Sequence, residues 1–261
     1  MASAKDIVVK PIKASAANDL VKRVHYSGKV DPRSQLHLGV FLLGRLEGVM
    51  QFGPSIQKSN IMPLVEGTSW NGFIELNRMA FSDALPRNSE SRALSVAMRI
   101  IRKHYPHIEW VVSFSDGTQC GDGVIYRASG FFLTAIKKNT SMWRMPSGEV
   151  VADIVTRMKS TGVKKRIGYK TGEPWSKFTK RVGAEKLIGF QLRYIYFLNK
   201  EAKKRLTVPI LPFSKIDEMG AGMYKGEKIT RTKDQELEHP SSLGGETPTR
   251  ALQTEGVRHG R

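Results

Sequence analysis

Apolar positions recur along the chain at two periods, and the switches between those periods predict the order of elements. "DIVVKPI" reads as a first strand, followed by "SAANDLVKRVHYSG" as a helix capped at Ser15 and stopped by Gly28. "QLHLGVFLLGRLEGVMQFGPS" predicts a hairpin, its two apolar runs joined around Gly44-Arg45-Leu46-Glu47-Gly48. Residues 57–71 read as a loop. In "GFIELNRMAF" strict alternation would put Glu75, Asn77 and Met79 on one face and Ile74, Leu76 and Arg78 on the other.

The next stretch, "PRNSESRALSVAMRIIRKHYP", has helical spacing. Asn88 or Ser89 can cap it, Ala93, Val96, Ala97, Ile100 and Ile101 form its apolar stripe, and Arg99, Arg102 and Lys103 suit its negative end. "HIEWVVSFSD" is a buried-type strand, "DGVIYRASG" a short helix closed by Gly130, and "FFLTAIKK" and "TSMWRM" are strands. The order predicts an α+β (mixed α/β) fold: a central mixed β-sheet with helices on both faces.

Charge changes the picture more than length does. The 261 residues carry a formal charge of +18 with 40% hydrophobic residues, and the pI is near 10.1. Such a field attracts polyanions. No apolar run approaches the roughly 20 residues that span a bilayer, and "MASAKDIVVK" lacks the apolar core of a signal peptide. A single cysteine makes no internal disulfide, so a reducing compartment, the cytoplasm, is expected. Nucleic acid is therefore favoured over a membrane as partner.

The surplus is uneven. Residues 231–261 hold five basic and five acidic residues and almost no large apolar ones, the composition of a disordered polar tail. Residues 157–186 hold ten basic residues against Glu173 and Glu185, with Tyr169, Trp175 and Phe178 among them. A solvated basic face is one reading. Phosphate contacts with base stacking are the other, and they make Lys164, Lys165, Arg166, Lys170, Lys177, Lys180 and Arg181 candidate nucleic-acid contacts.

Two strand-to-helix junctions are candidate sites, because ligands of open sheets bind beyond the carboxyl ends of such strands. At the first, Arg87, Asn88, Ser89 and Ser91 surround a helix N-terminus and form a candidate anion site, with ordinary capping as the alternative. At the second, "SFSDGTQCGDGVIYRASGFF" lacks the Lys-Ser/Thr ending of a Walker loop, and "GDGVIY" breaks a dinucleotide fingerprint at Tyr126. Cys120 reads as a small buried residue rather than a nucleophile. Asp116 is placed to orient or deprotonate an amine and Tyr126 to protonate a leaving group; a turn aspartate and an amphipathic-helix tyrosine are the structural alternatives. In "HYSG", His25 and Tyr26 are candidate metal ligands, against a histidine that only satisfies a helix end. No H-x-x-x-H or C-x-x-C signature is present.

The element order resembles the GNAT acyltransferase fold, and "GVIYRASGFF" resembles the helix after that fold's fifth strand. "HYSG", "LGVFLLGRLEGVMQFG", "ELNRMAFSDALPRNSESRALS", "WVVSFSDGTQCGDGVIYRASGF" and "QLRYIYFLNKEAKKRL" are similar to the phage Mu Mom family of DNA-modification proteins, over roughly residues 20 to 200. That resemblance implies an enzyme adding a carbamoylmethyl (acetamido-type) group to the exocyclic N6 amine of adenine in double-stranded DNA, protecting phage DNA from host restriction. It implies catalytic roles for Asp116, Tyr126 and Asn77, and donor binding by Arg87, Asn88, Ser89 and Ser91. The donor would be an acyl or glycyl-type molecule, a CoA thioester among the candidates, although "LPRNSES" lacks the glycine-rich pyrophosphate loop of GNAT enzymes. Iron is the implied metal, on His25 and Tyr26. The expected organisation is a catalytic core over 1–152, a basic DNA-binding extension completing the sheet over 153–230, and the tail. A non-catalytic DNA-binding antirestriction module and an N-acetyltransferase acting on another amine remain as alternatives.

Overall fold

The computed structural model describes residues 2–157, 162–224 and 227–229; the expected tail lies outside the described residues. In chain order the main elements are β1 (Val8–Pro11), α1 (Ala14–Val24), β2 (Leu36–Leu42), β3 (Arg45–Gly53), α2 (Lys58–Ile61), β4 (Phe73–Phe81), α3 (Ser89–His104), β5 (Trp110–Asp116), α4 (Val124–Ala128) and β6 (Phe132–Asn139). There follow β7 (Met142–Arg144), β8 (Val150–Ala152), α5 (Gly162–Ile167), α6 (Trp175–Val182), β9 (Glu185–Lys186), β10 (Gly189–Phe197), α7 (Lys200–Lys204) and α8 (Ser214–Glu218). Among the described residues, seven strands form one sheet in the order β1-β2-β3-β4-β5-β10-β6. Every pair in it is antiparallel except β4–β5.

Helices cover both faces, as the alternating pattern predicts. On one face Ala93, Leu94, Ala97, Met98 and Ile101 of α3, with Tyr126 of α4 and Ile216 of α8, pack on Leu38, Met50, Ile74, Leu76, Val111 and Leu192. On the other, Ala17, Leu20 and Val21 of α1 meet Val49 and Ala80. Farther along that face, Ile61, Leu64 and Val65 join Ala202 over Phe73, Trp110, Val112 and Ile195. Burial of such stripes, at about 25 cal/mol per Å² of apolar surface, is what holds short helices that would be marginal alone.

Several sequence expectations are corrected locally. Helix α1 starts at Ala14 with Lys13 at its N-cap and no side-chain cap, so Ser15 does not cap it; it ends at Val24 with His25 already extended, before Gly28. The hairpin turns over Leu43-Gly44, at φ 48° and 80°, and residues 45–48 belong to β3; a primed two-residue turn matches strand twist. Residues 57–71 are not simply a loop, because α2 and a 3-10 turn over Met62–Leu64 bury Ile61 and Leu64. The α3 stripe runs through Leu94 and Met98 rather than Val96 and Ile100. Asn88 occupies its N-cap in the left-handed region at φ 68° without a side-chain cap bond.

The alternation in β4 also fails, for a specific reason. Gln51 and Phe52 of β3 oppose Arg78 and Leu76, leaving Asn77 as an extra residue. This bulge shifts the phase of the strand. Met79 thus packs with Ile74 and Leu76, while Arg78 turns to donate to the carbonyl of Lys29 at 2.8 Å.

Between β6 and β10 the chain builds a separate unit. Strands β8-β7-β9 form a small antiparallel sheet, and Met145, Val151, Val155, Tyr169 and Phe178 make a core of their own, flanked by Trp143 and Trp175. Strand β10 then returns between β5 and β6. Among the described residues no helix is long and apolar enough to cross a membrane.

The turn into α4 tests this packing. Gly123 has φ +85°, and a Cβ there would lie 2.5 Å from the Tyr194 ring. Gly123→Ala is expected to destabilise the protein by about 2 kcal/mol or more through backbone strain and overpacking, read as a lowered denaturant midpoint at unchanged slope.

Candidate active site

Strands β4 and β5 pair only over Phe73–Glu75 and Trp110–Val112. Beyond Glu75 they part, and β5 continues to Asp116 supported by β10 alone. The bulge at Asn77 falls where they separate. Asn77 is 7% exposed; its Oδ1 accepts from Ser34 at 3.2 Å, and its Nδ2 is buried with no hydrogen-bond partner. A Cβ on Gly53 would sit 2.6 Å from Asn77 Oδ1 and 2.4 Å from the Arg33 carbonyl, so only glycine lets β3 approach here. Glu75, the last paired residue, shares its face with Val112 and Asp116. Burial raises its pKa, opposed by Ser55, Arg33 and Asn77 and reinforced by Asp31.

The second junction is tightly cross-braced. Asp116 Oδ1 accepts from the Thr118 amide at 3.0 Å, from the Thr118 hydroxyl, and from Asn139 at 3.3 Å; Oδ2 accepts from Gln119 at 3.2 Å. The carbonyl of Asp116 accepts from the Cys120 amide at 2.8 Å. Cys120 is exposed rather than buried, which corrects the sequence reading. Its thiol is nevertheless desolvated by the surrounding chain, and that, with the charges of Asp116 and Asp122, raises its pKa. Tyr194 donates to the Asp122 carbonyl and fixes the turn.

Tyr126 points from α4 into the sheet, its ring 5.3 Å from Phe131 and 5.2 Å from Tyr194. Burial pushes its pKa up to about 12, against a hydrogen bond with Ser113 of β5. The phenol is therefore protonated at neutral pH and is a proton donor rather than a base.

His25 and Tyr26 follow α1 and reach the same place. Burial and the Arg78 guanidinium depress His25 to about 4, so its imidazole is neutral; Nδ1 accepts from the Ser27 amide at 3.2 Å and lies 2.8 Å from its hydroxyl. Tyr26 is 52% exposed, yet the protein around its hydroxyl desolvates it and raises its pKa well above the ordinary range, helped by the charges of Asp116, Cys120 and Tyr126. Three separate elements thus converge. As a metal site the pair does not fit: Ser27 occupies Nδ1, and among the described residues no three His, Cys, Asp or Glu side chains gather to hold an ion.

The first junction opens onto a cleft of about 400 Å³ lined by Asn88, Ser91, Arg92, Ser95 and Arg99 of α3 with Ser129 after α4. Of the candidate anion-binding residues, Asn88 and Ser91 line it. Ser89 is fully buried at the helix start with its hydroxyl unpartnered, and Arg87 is exposed ahead of it. Sequence reading missed Arg92 and Ser95 and assigned Arg99 only to the helix dipole. Their signal was the three-to-four-residue spacing from Asn88 onward on the polar face. The arrangement suits a phosphate-bearing ligand.

The basic candidates divide into two kinds. Arg166 forms a two-point pair with Glu149 at 2.9 and 2.5 Å, and Arg181 with Glu173 at 2.9 and 2.8 Å. Lys164 is half-buried near the Tyr169 ring. Lys165, Lys170, Lys177 and Lys180 are exposed and form no ion pair among the described residues.

The depressed His25 carries a sign that can be measured. Folded, it stays neutral to about pH 4; unfolded, it takes a proton near the ordinary 6.5. Between those values the unfolded chain binds more protons, so stability falls as pH drops through this window. Thermal melts should show a steeper loss from about pH 6.5 to about pH 4 in the native sequence than in His25→Gln.

Among solved structures, the chain is similar to the ribosomal-protein-S18-alanine N-acetyltransferase of Escherichia coli, with a TM-score of 0.41 and 10% identity over 74% of this chain and 94% of that one. It is also similar to a GNAT family acetyltransferase of Elizabethkingia anophelis with acetyl-CoA bound, with a TM-score of 0.41 and 14% identity over 74% and 98%. In sequence it is 37% identical over 207 residues to the "Methylcarbamoylase mom" of Escherichia phage Mu, covering 79% of this chain and 81% of that protein. The model of the Mom protein family matches residues 6–215. That match takes in both strand-to-helix junctions, the His25–Tyr26 turn and the small basic unit, and the chain belongs to the Mom protein family.

Proposed function

We propose that this protein transfers a carbamoylmethyl group to the exocyclic N6 amine of adenine in double-stranded DNA, a modification that protects phage DNA from host restriction. The observation that carries the reading is the convergence of Tyr26, Asp116, Cys120 and Tyr126 on the gap between β4 and β5. The name of the phage Mu relative supports a carbamoyl-type transfer.

The parts divide by face. An activated donor with a phosphate handle enters from the α3–α4 side, where Ser91, Arg92, Ser95 and Arg99 line the cleft. A CoA thioester is of this class. The adenine arrives from the other side, flipped out of the duplex at a few kcal/mol, because its amine is unreachable in the stack. The N6 lone pair forms the new bond to the methylene carbon of the donor's carbamoylmethyl group, and the amine gives up one N–H proton to a base. The leaving group departs with its bonding pair and takes a proton from Tyr126, whose raised pKa keeps that proton available. Asp116, held by four donors, orients the turn that places Tyr126. No step is routed through iron, since His25 and Tyr26 do not form a site for it.

Nucleosides from DNA of an expressing strain should contain a mass-shifted deoxyadenosine. Tyr126→Phe should cut it by about 10²–10⁴-fold, the span of general acid catalysis, and Asp116→Ala should do the same by disordering the turn. Unmodified nucleosides alongside intact duplex binding would instead favour a non-catalytic DNA-binding module. Replacing Lys165, Lys170, Lys177 and Lys180 by alanine should weaken duplex binding and flatten its salt dependence, by about 0.9 in slope per lost phosphate contact. Unchanged affinity and slope in a salt titration would return these lysines to a solvated face.

A further inference from the structure

Two carboxylates face the gap between β4 and β5, and they differ in what they have left to offer. Asp116 accepts four hydrogen bonds on its two oxygens, from Thr118 twice, Gln119 and Asn139. A carboxylate has about four lone-pair sites, two on each oxygen; three of these bonds crowd Oδ1, so Asp116 is committed chiefly to bracing its own turn. Glu75 stands at the apex, as the last residue of β4 paired to β5. It is largely enclosed, and two positions on is a buried amide: Asn77 Nδ2 makes no hydrogen bond of ordinary geometry and leans on the Glu75 carboxyl, whose ionised form it favours. A buried donor left without a well-formed hydrogen bond is expensive to keep. Its presence at the mouth of a gap points to a ligand acceptor.

We propose that Glu75 is the catalytic proton acceptor for the substrate amine and that Asn77 Nδ2 holds the ring nitrogen next to that amine. This rests on the adenine-modifying reading above. The pairing follows from chemistry: adenine offers an amine donor beside a ring-nitrogen acceptor, and carboxylate plus amide N–H is the complementary array. Guanine offers O6 beside N7, two acceptors on that edge, and would set an oxygen against the carboxylate. In the step, the N6–H bond breaks and its proton passes to a Glu75 oxygen. The electron pair stays on nitrogen and forms the bond to the methylene carbon of the donor's carbamoylmethyl group, whose leaving group departs with its bonding pair. The raised pKa of Glu75 makes it a stronger acceptor than an exposed carboxylate. The charged and titratable groups acting on it are Asp31 and Arg33 from the loop before β2 and the Tyr126 phenol from α4.

The test uses the full-length protein in buffered lysate of an expressing strain, which supplies the donor, with duplex DNA added and modified deoxyadenosine counted by mass spectrometry. With the native sequence, product should rise with pH along a limb set above the ordinary carboxylate range. Glu75→Gln, close in size and able to keep the Ser55 contact, should lose about 10²–10⁴-fold at every pH while duplex binding and melting temperature are kept. Should Glu75→Gln melt early, Glu75→Asp carries the test: it should retain some product with the acid limb displaced. Native product levels in Glu75→Gln, or an unmoved limb in a folded Glu75→Asp, would overturn the assignment. No mass-shifted deoxyadenosine from the native protein would overturn the adenine reading itself, a distinguishable result.

Discussion

The structure depends on how little of β4 and β5 is paired. They are parallel neighbours in an otherwise antiparallel sheet, and their ladder covers three registers before they part. A parallel pair left open partway would expose backbone groups that must find partners. Here β5 is held from its other side by β10 as far as Asp116, and β4 is held by β3 across a bulge. Ser113 adds one side-chain contact across the gap, to the Leu76 carbonyl at 3.5 Å. The sheet thus stays intact while its middle opens.

The opening also sets the protonation states around it. Desolvation is the largest influence on His25, Tyr26, Glu75, Cys120 and Tyr126, and it disfavours the charged form of each. The imidazole is neutral and both phenols keep their protons. Glu75 and Asp116 then differ through hydrogen bonding rather than burial alone: one is braced from four donors, the other is not. Environment sets two similar side chains apart.

Much of this was legible in the sequence because periodicity reports burial. The hairpin, α3, β5 and the helix around Tyr126 all follow from it, as does the placement of helices on both faces. The failures are equally physical. A bulge adds one residue without any compositional mark, so Asn77 inverted the faces of Arg78 and Met79. Residues 57–71 look irregular because α2 is a single turn fixed by what it covers. The junction residues Asp116, Tyr126, His25 and Tyr26 could be named from their places at element ends, but their convergence is tertiary. Glu75 was visible only as a charge in an apolar strand, and the α3 arginines only as a polar face, since neither pattern says what lies opposite.

The charge surplus is kept apart from this chemistry. It is concentrated on a small unit with its own aromatic core, where Arg166 and Arg181 are matched by Glu149 and Glu173 and the exposed lysines are not matched. The cations that act on the site groups are instead Arg78 and Arg33, both held by local partners, the Lys29 carbonyl for one and Asp31 for the other. Lysines spread through the site would lower the pKa of Tyr126 and Glu75 and undo the proton inventory that desolvation sets. Set on a separate unit, they leave that inventory intact and still supply a field that falls off over about a Debye length of 8–10 Å. That range suits contact with a polyanion's backbone, as the proposed reaction on DNA requires. One link between the two regions is Lys29, 3.9 Å from Glu149 of the basic unit, whose carbonyl holds Arg78 at the site; another is Asn139, which donates to Asp116 and accepts from Ser141. Positions in the basic unit are thereby tied to the site through an ion pair, a main-chain carbonyl and a side-chain amide rather than through cations placed in the site.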